Sequence, residues 1–259
     1  MTLQPKEFRI DFPDGTSSVV DDRVMGILRT LQSQAAAVQR AQPSTPRHCS
    51  VCDYHGDFRP TGFPQRVDAS CPKCHSVERH RLIMLAVKRG QVLGDADENS
   101  RVLHFAPEPM LSDYFRSRFQ HYVTADLAAG FDLQLNMENI DLPDAQYDVI
   151  MANHVLEHVD DFKAARELHR ILKPGGVLLC TVPLIEGWEE TYEPEGIDSD
   201  AERLLHFGQH DHVRMYGRDF RDRIQSCGFA LEAEITSEGA DVVKYSLLRG
   251  EKLFLFRKA

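Results

Sequence analysis

The sequence predicts an α/β protein: a doubly wound, mainly parallel sheet preceded by a small cysteine-rich module. Three observations carry this. From residue 101 onward, short apolar runs alternate with helix-period segments, the order of a parallel sheet built with helical crossovers. Four of the six cysteines fall in two close pairs between positions 49 and 74. At 259 residues, 42% hydrophobic and 27% charged, the chain is long enough to bury one large core beside a small module.

The elements follow in order. Phe8-Arg9-Ile10-Asp11-Phe12 alternates, Pro13-Asp14-Gly15 signals a turn and Ser18-Val19-Val20 returns, which reads as a hairpin. A helix is expected over 22–40, with Val24, Ile27, Leu28 and Leu31 on one stripe. Gln42-Pro43-Ser44-Thr45-Pro46 reads as a linker, because two prolines block helix continuation. No chemistry attaches to this N-terminal piece; packing, dimerisation and a lid role all stay open for it. A second helix is expected from Ser76 to about Gly90. Strands then fall at 101–105, 122–125, 147–152, 177–182, 230–236 and 252–256, with helices at 109–119, 160–172 and 219–226. Ligands of such a sheet sit at the carboxyl ends of its strands.

Charge and hydropathy narrow the function. No apolar run approaches the ~18–20 residues of a membrane span, and the first residues lack an apolar signal region, so a cytoplasmic protein is expected. With 30 basic against 40 acidic residues the net charge is −10, which argues against nucleic acid as a partner.

Cys49-x2-Cys52 and Cys71-x2-Cys74 are separated by 18 residues. Each CxxC can turn two thiolates toward one tetrahedral ion, and the spacer suits a hairpin between the knuckles. The favoured ion is Zn²⁺, held structurally, because four thiolates leave no open position. His48, His55 and His75 stand alongside as alternative ligands, and four unrelated thiols or a redox pair is the competing account. Cys180 and Cys227 sit alone in apolar surroundings and read as core residues.

Downstream, Val102-Leu103-His104-Phe105-Ala106-Pro107-Glu108, Thr124-Ala125-Asp126-Leu127, Asn136-Met137, the run Asp148 to Val159 and Lys173-Pro174-Gly175-Gly176 stand in a fixed order. In that order the sequence resembles class I S-adenosylmethionine-dependent methyltransferases of the "type 11" small-substrate group, over about three-fifths of the chain. The resemblance implies a Rossmann-like sheet and S-adenosylmethionine as cofactor. It implies a cofactor loop at Phe105, Ala106, Pro107 and Glu108, although His104 stands at the family's acid position and Ala106 and Glu108 replace its first glycines. Glu108 would then pair with the ammonium of the methionine portion. Asp126, followed by Leu127, would hold the ribose diol; a helix N-cap is the alternative reading of that aspartate. Asn136 and Met137 would face the adenine, Asn136 through its side-chain carbonyl, unless the segment is only a solvated turn. Asn153 ends the strand beneath the transferring methyl.

Candidate bases cluster at His154-x2-Glu157-His158 and in His206 to Arg214 within the insertion after the fifth strand. His154, His210 or His212 would act as general base. Alternatively His154, Glu157 and His158 join His210 or His212 around a second, divalent metal. That arrangement is similar to a Glu-x-x-Glu-His motif in quinone-pathway and small-RNA O-methyltransferases. A third account gives Glu157 and His158 only the capping or bracing of the following helix. The loop 187–200, with Trp188 and several acids, reads as a lid or a solvated loop. Arg214, Tyr216 and Arg218 suit an anionic group or internal salt bridges.

The expected organisation is an extension over 1–45, a zinc ribbon and helix over 46–90, and a methyltransferase domain over 91–259 whose insertion, about 184–218, covers the acceptor. The expected activity is O-methylation of a small molecule or glycan, with a homodimer admissible and no membrane partner. Two rivals are an RNA or tRNA methyltransferase gripping its substrate with Arg79, His80, Arg81, Lys88 and Arg89, and a non-catalytic scaffold with a decayed cofactor loop.

Overall fold

The computed structural model describes residues 7–11, 17–41, 45–62 and 65–259. The turn read at Pro13-Asp14-Gly15 and the linker residues Gln42, Pro43 and Ser44 lie outside them. Contacts divide the chain into two compact units, Met1–Thr45 and Pro46–Ala259.

The first unit is an antiparallel hairpin of β1 (Glu7–Asp11) and β2 (Ser17–Asp21) leading directly into helix α1 (Asp22–Ala41). Asp21 starts the helix: its Oδ1 accepts from the backbone N–H groups of Arg23 and Val24. On the expected apolar stripe, Val24, Ile27 and Leu31 are exposed and Leu28 is half-buried.

The second unit opens with the cysteine module. Strands β3 (Arg47–His48) and β4 (His55–Gly56) pair around the first cysteine pair. Strands β5 (Arg59–Thr61) and β6 (Arg66–Ser70) form the expected hairpin between the two pairs. Helix α2 (Glu78–Lys88) follows, and residues 82–87 are all buried.

A seven-stranded sheet forms the body. Its strands are β7 (Arg101–Phe105), β8 (His121–Asp126), β9 (Leu133–Gln134), β10 (Tyr147–Asn153), β11 (Leu172–Thr181), β12 (Phe229–Thr236) and β13 (Lys252–Lys258), in spatial order β12-β13-β11-β10-β7-β8-β9. All pairs among β9, β8, β7, β10 and β11 are parallel, and β13 inserts antiparallel between β11 and β12. The strand order reverses between β7 and β10, the switch point where such sheets open a crevice.

Helices α3 (Pro109–Arg118), α4 (Asp161–Ile171), α5 (Asp200–Phe207), α6 (Phe220–Gln225) and α7 (Gly239–Lys244) complete the unit. Period-two alternation sorts the two faces. Leu103, Ile150, Leu178 and Phe256 point into one core with α4 and α6. Val102, Val149, Leu179 and Leu255 point into another with α2 and α3. Helix α2 therefore covers the sheet, and the cysteine module belongs to the same compact unit.

Four elements differ from expectation. Pairing of β11 begins at Leu172: Tyr147 faces Leu172 but Val149 faces Val177, so the Lys173-Pro174-Gly175-Gly176 turn is an excursion within the strand. At Gly176 a Cβ would meet the Lys173 carbonyl oxygen at 2.9 Å, which only glycine avoids. The two-residue β9 and the short helices α5 and α7 were not foreseen.

Candidate functional site

The four cysteines of the module converge. Cys49 Sγ lies 3.6 Å from Cys74 Sγ, and Cys52 Sγ 3.7 Å from Cys71 Sγ; all four sulfurs are within 4.8 Å of one another. A tetrahedral ion with bonds of ~2.3 Å spaces its sulfurs about 3.8 Å apart, so the cluster fits Zn²⁺. The two knuckles are copies of one turn. Asp53 N and His75 N donate to the carbonyls of Cys49 and Cys71, and both residues take left-handed backbone, φ 57° and 60°. No histidine joins the group. His48 instead stacks on His55 and faces Asp53.

Arg81, fully buried, ties this cluster to the sheet. Its guanidinium donates to the carbonyls of Ser76, Ala69, Tyr245 and Ser246 and lies over the Phe58 ring. Burial pulls its pKa down, and Glu78 with the thiols of Cys49, Cys71 and Cys74 acts against that. Four zinc-bound thiolates carry an excess negative charge, which suits a buried cation whose hydrogen bonds all go to neutral carbonyls.

At the carboxyl end of β7, Ala106 takes φ 45° and donates its N–H to the Ala125 carbonyl across the sheet. This is the left-handed conformation for which glycine is the usual residue. Glu108 follows at the N-cap of α3. Its carboxylate is nearly buried, with Oε2 3.2 Å from His104 Nε2 and Oε1 3.5 Å from His80 Nε2. Burial raises its pKa, but the two facing imidazoles outweigh that and hold it at about 2. His104, at 0% exposure, is fixed in turn by Tyr122 Oη at 2.8 Å.

Asp126 ends β8, beside this loop. Its Oδ1 accepts from Ala128 N at 2.8 Å, and no helix follows it, so it closes a local turn rather than capping a helix. Leu127 is exposed. Asn136, also exposed, bends its segment by accepting from Glu138 N, while Met137 is buried. Asn153 closes β10, buried, with neither side-chain polar atom bonded.

His154 leaves the strand in left-handed backbone. Its Nδ1 is 3.0 Å from Glu157 Oε1 and its Nε2 3.9 Å from Glu251 Oε1. Burial depresses its pKa, but the two carboxylates more than reverse this and push it up to about 9. It is therefore an imidazolium at neutral pH, with no lone pair to accept a proton. His212, 7% exposed, approaches Glu157 Oε1 at 4.0 Å. Burial lowers its pKa, and its Nδ1 is unpartnered. Glu157, His158 and His212 bring one ligand atom each within 4.8 Å. His210 is exposed and outside this group. The following helix α4 is capped by Asp160, which accepts from Lys163 N, not by Glu157 or His158.

Along the carboxyl ends of β10, β11 and β12, Asn153, Thr181 Oγ1 and Ser237 Oγ are buried without hydrogen-bond partners, and Glu108 Oε2 joins them at β7. A buried polar group left unsatisfied costs about 1–3 kcal/mol. A row of them at the sheet's switch edge marks a place for a polar ligand. Thr181 falls inside the strand expected over 177–182 and ends the observed one. His80, Ser237 and Glu251 carry no local signal, since they reach this edge only through tertiary packing.

The methyltransferase domain family matches residues 37–234 of this chain. The chain belongs to that family and is an S-adenosylmethionine-dependent methyltransferase. The methyltransferase is 26% identical over 165 residues to the ubiquinone/menaquinone biosynthesis C-methyltransferase UbiE of Vibrio parahaemolyticus, covering 56% of this chain and 60% of that protein. Among solved structures it is similar to an S-adenosylmethionine-dependent methyltransferase from Mesorhizobium loti, at 15% identity and TM-score 0.44, covering 62% of this chain and 91% of that one. The YcgJ protein from Bacillus subtilis gives 15% identity and TM-score 0.44, covering 69% and 97%.

The insertion of this methyltransferase is internally tied. Tyr192 and Met215 pair as a backbone bridge, Thr191 bonds Asp219, and Trp188 is part-exposed. Arg214 is buried between Glu193 and the carbonyls of Leu156 and Val159. Tyr216 bonds the Leu156 carbonyl and Asp161, and Arg218 pairs with Glu189. Arg214 and Arg218 serve internal salt bridges and Tyr216 internal hydrogen bonds. Of the residues that would grip RNA, Arg81 and His80 are buried and Arg89 is paired with Asp241. Among the described residues, no helix is long and apolar enough to cross a membrane.

Proposed function

We propose that this methyltransferase methylates an oxygen of a small molecule or glycan at the carboxyl edge of its sheet, with a structural Zn²⁺ held by Cys49, Cys52, Cys71 and Cys74. The observation that carries the site is the row of buried, unpartnered polar groups from Glu108 to Ser237. Over 46–90 the zinc ribbon and α2 support a catalytic domain over 91–259.

Phe105, Ala106 and Pro107 form the loop against which the cofactor lies. Glu108, ionised and with one free oxygen, receives the ammonium of the methionine portion, and Arg79, whose Nε is buried without a partner, suits its carboxylate. Asp126 keeps Oδ2 for the ribose diol, with Leu127 beside it. Asn136 and Met137 face the adenine, and Asn153 floors the methyl-transfer position. The cofactor supplies an electrophilic methyl, so the protein's task is alignment and removal of the acceptor's proton. His212, neutral through burial and open at Nδ1, is the better base; His154 instead donates from its imidazolium. The experiment is calorimetric titration with S-adenosylhomocysteine. Asp126→Ala is expected to weaken binding about tenfold, and unchanged affinity would refute the assignment of this edge.

One observation favours a second reading of the acceptor side. Glu157, His158 and His212 form a two-histidine, one-carboxylate group, with Glu157 Oε2 buried and unpartnered, a donor set suited to a divalent transition ion. His154 and His210 are not part of it. Titrating zinc-loaded protein with Mn²⁺, followed by electron paramagnetic resonance, tests this; binding that persists in His212→Ala would overturn it.

A further inference from the structure

The most unusual contact at the cofactor edge comes from outside the sheet. Glu108 is faced from two sides by two imidazoles, and each ring is fixed by a hydrogen bond through its other nitrogen. His104 belongs to β7 and is anchored on Tyr122. His80 belongs to the first turn of α2, six residues after the last cysteine of the module. Its Nδ1 accepts the backbone N–H of Val77 at 3.2 Å. Burial outweighs Glu108 and holds the ring neutral, at about 4, so its single proton sits on Nε2, facing Glu108 Oε1 at 3.5 Å.

The start of α2 is set by the cysteine cluster. Ser76 Oγ lies 3.2 Å from both Cys49 Sγ and Cys74 Sγ. Its carbonyl accepts from Cys71 N and from Arg81. Hydrogen bonds thus fix Ser76 on the sulfurs and the imidazole on Val77, the next residue, and the ring's Nε2 then faces the carboxylate at 3.5 Å.

We propose that His80 is a positioning residue for Glu108 and, through it, for the methionine end of the cofactor, so that the cysteine module and the cofactor loop work as one binding unit. This rests on the reading of Glu108 given above. A buried carboxylate can rotate; with His80 facing Oε1 and His104 facing Oε2, the plane in which it meets the incoming ammonium is held. The inference explains why a short imidazole, and not a second charge, stands there: an additional cation would compete with the ammonium.

The test is a double-mutant cycle read by calorimetric binding of S-adenosylhomocysteine to zinc-loaded protein, with zinc content and melting measured alongside. His80→Ala is expected to weaken binding about five- to twentyfold at unchanged zinc content, and His80→Gln, which restores a donor, to recover most of it. Glu108→Gln should weaken binding as well, and the double variant should bind no more weakly than Glu108→Gln alone. His80→Ala within twofold of wild type, or losses that simply multiply in the double variant, would overturn the inference. Wild-type affinity in Glu108→Gln would instead overturn the reading of Glu108 itself. If His80→Ala loses its metal, His80→Asn, whose amide is too short to reach Glu108, carries the same cycle.

Discussion

Arg81 Nε donates a 2.7 Å hydrogen bond to the carbonyl oxygen of Tyr245, 164 residues along the chain. With its bonds to Ser76, Ala69 and Ser246, this side chain joins the second knuckle to the segment before β13. Arg81→Met keeps the volume but takes the donor from the carbonyls of Ala69, Tyr245 and Ser246, while that of Ser76 keeps the N–H of Cys71. Each buried unsatisfied group costs about 1–3 kcal/mol, so a loss of at least 3 kcal/mol, on the order of what breaking a buried ionic contact costs, is expected by chemical denaturation. A variant as stable as wild type would show that water replaces the guanidinium.

The sulfurs make the second prediction. Cys71→Ser should bind far less than the one zinc per chain expected of wild type by elemental analysis. Because α2 is part of the sheet's own core, metal loss should lower the melting temperature of the whole second unit in one transition. A drop of about 10 °C or more is expected, since structural zinc contributes on the order of 10 kcal/mol in small domains. A separate low-temperature transition with the main one unmoved would mean that the module melts alone.

Ala106 is an L-residue at φ 45°, a conformation costing roughly 1–2 kcal/mol beyond what glycine needs. Glycine adds entropy to the unfolded chain, which cancels part of the gain. Ala106→Gly is therefore expected to raise stability by up to about 1 kcal/mol, or about 2–4 °C, with cofactor affinity within threefold. A fall in melting temperature would show that the methyl group packs usefully in the loop.

His80 and Glu108 set the acid limb of stability. Both have native pKa values below their unfolded ones, about 4 against 6.5 and about 2 against 4.5. The unfolded chain takes up the protons first, so each contribution is complete above the unfolded value and is lost as pH falls. Stability should decline between pH 6.5 and 4 through His80, then further toward pH 2 through Glu108. His80→Gln should flatten the upper part of that decline in a melting-temperature series; an unchanged slope would count against burial of a neutral imidazole.

What the amino-acid order determined by itself was whatever depends on local pattern. The strands at 101–105 and 147–152 were readable because every second side chain enters one core while its neighbour enters the other. The four cysteines were readable because a knuckle needs only a two-residue spacing and a turn. The short strand Leu133–Gln134 and the helices at 200–207 and 239–244 were not, because two to eight residues carry too little period to stand out. Tertiary structure decided the chemistry of the site. It brought His80 and Glu251 to the sheet edge, buried Arg81 instead of leaving it to grip a ligand, and turned Arg214 and Tyr216 inward. It also divided the histidines: Glu157 and Glu251 hold His154 protonated, while burial leaves His212 neutral. Protonation depends on which carboxylates and how much water surround a ring, and those neighbours come from segments up to a hundred residues apart.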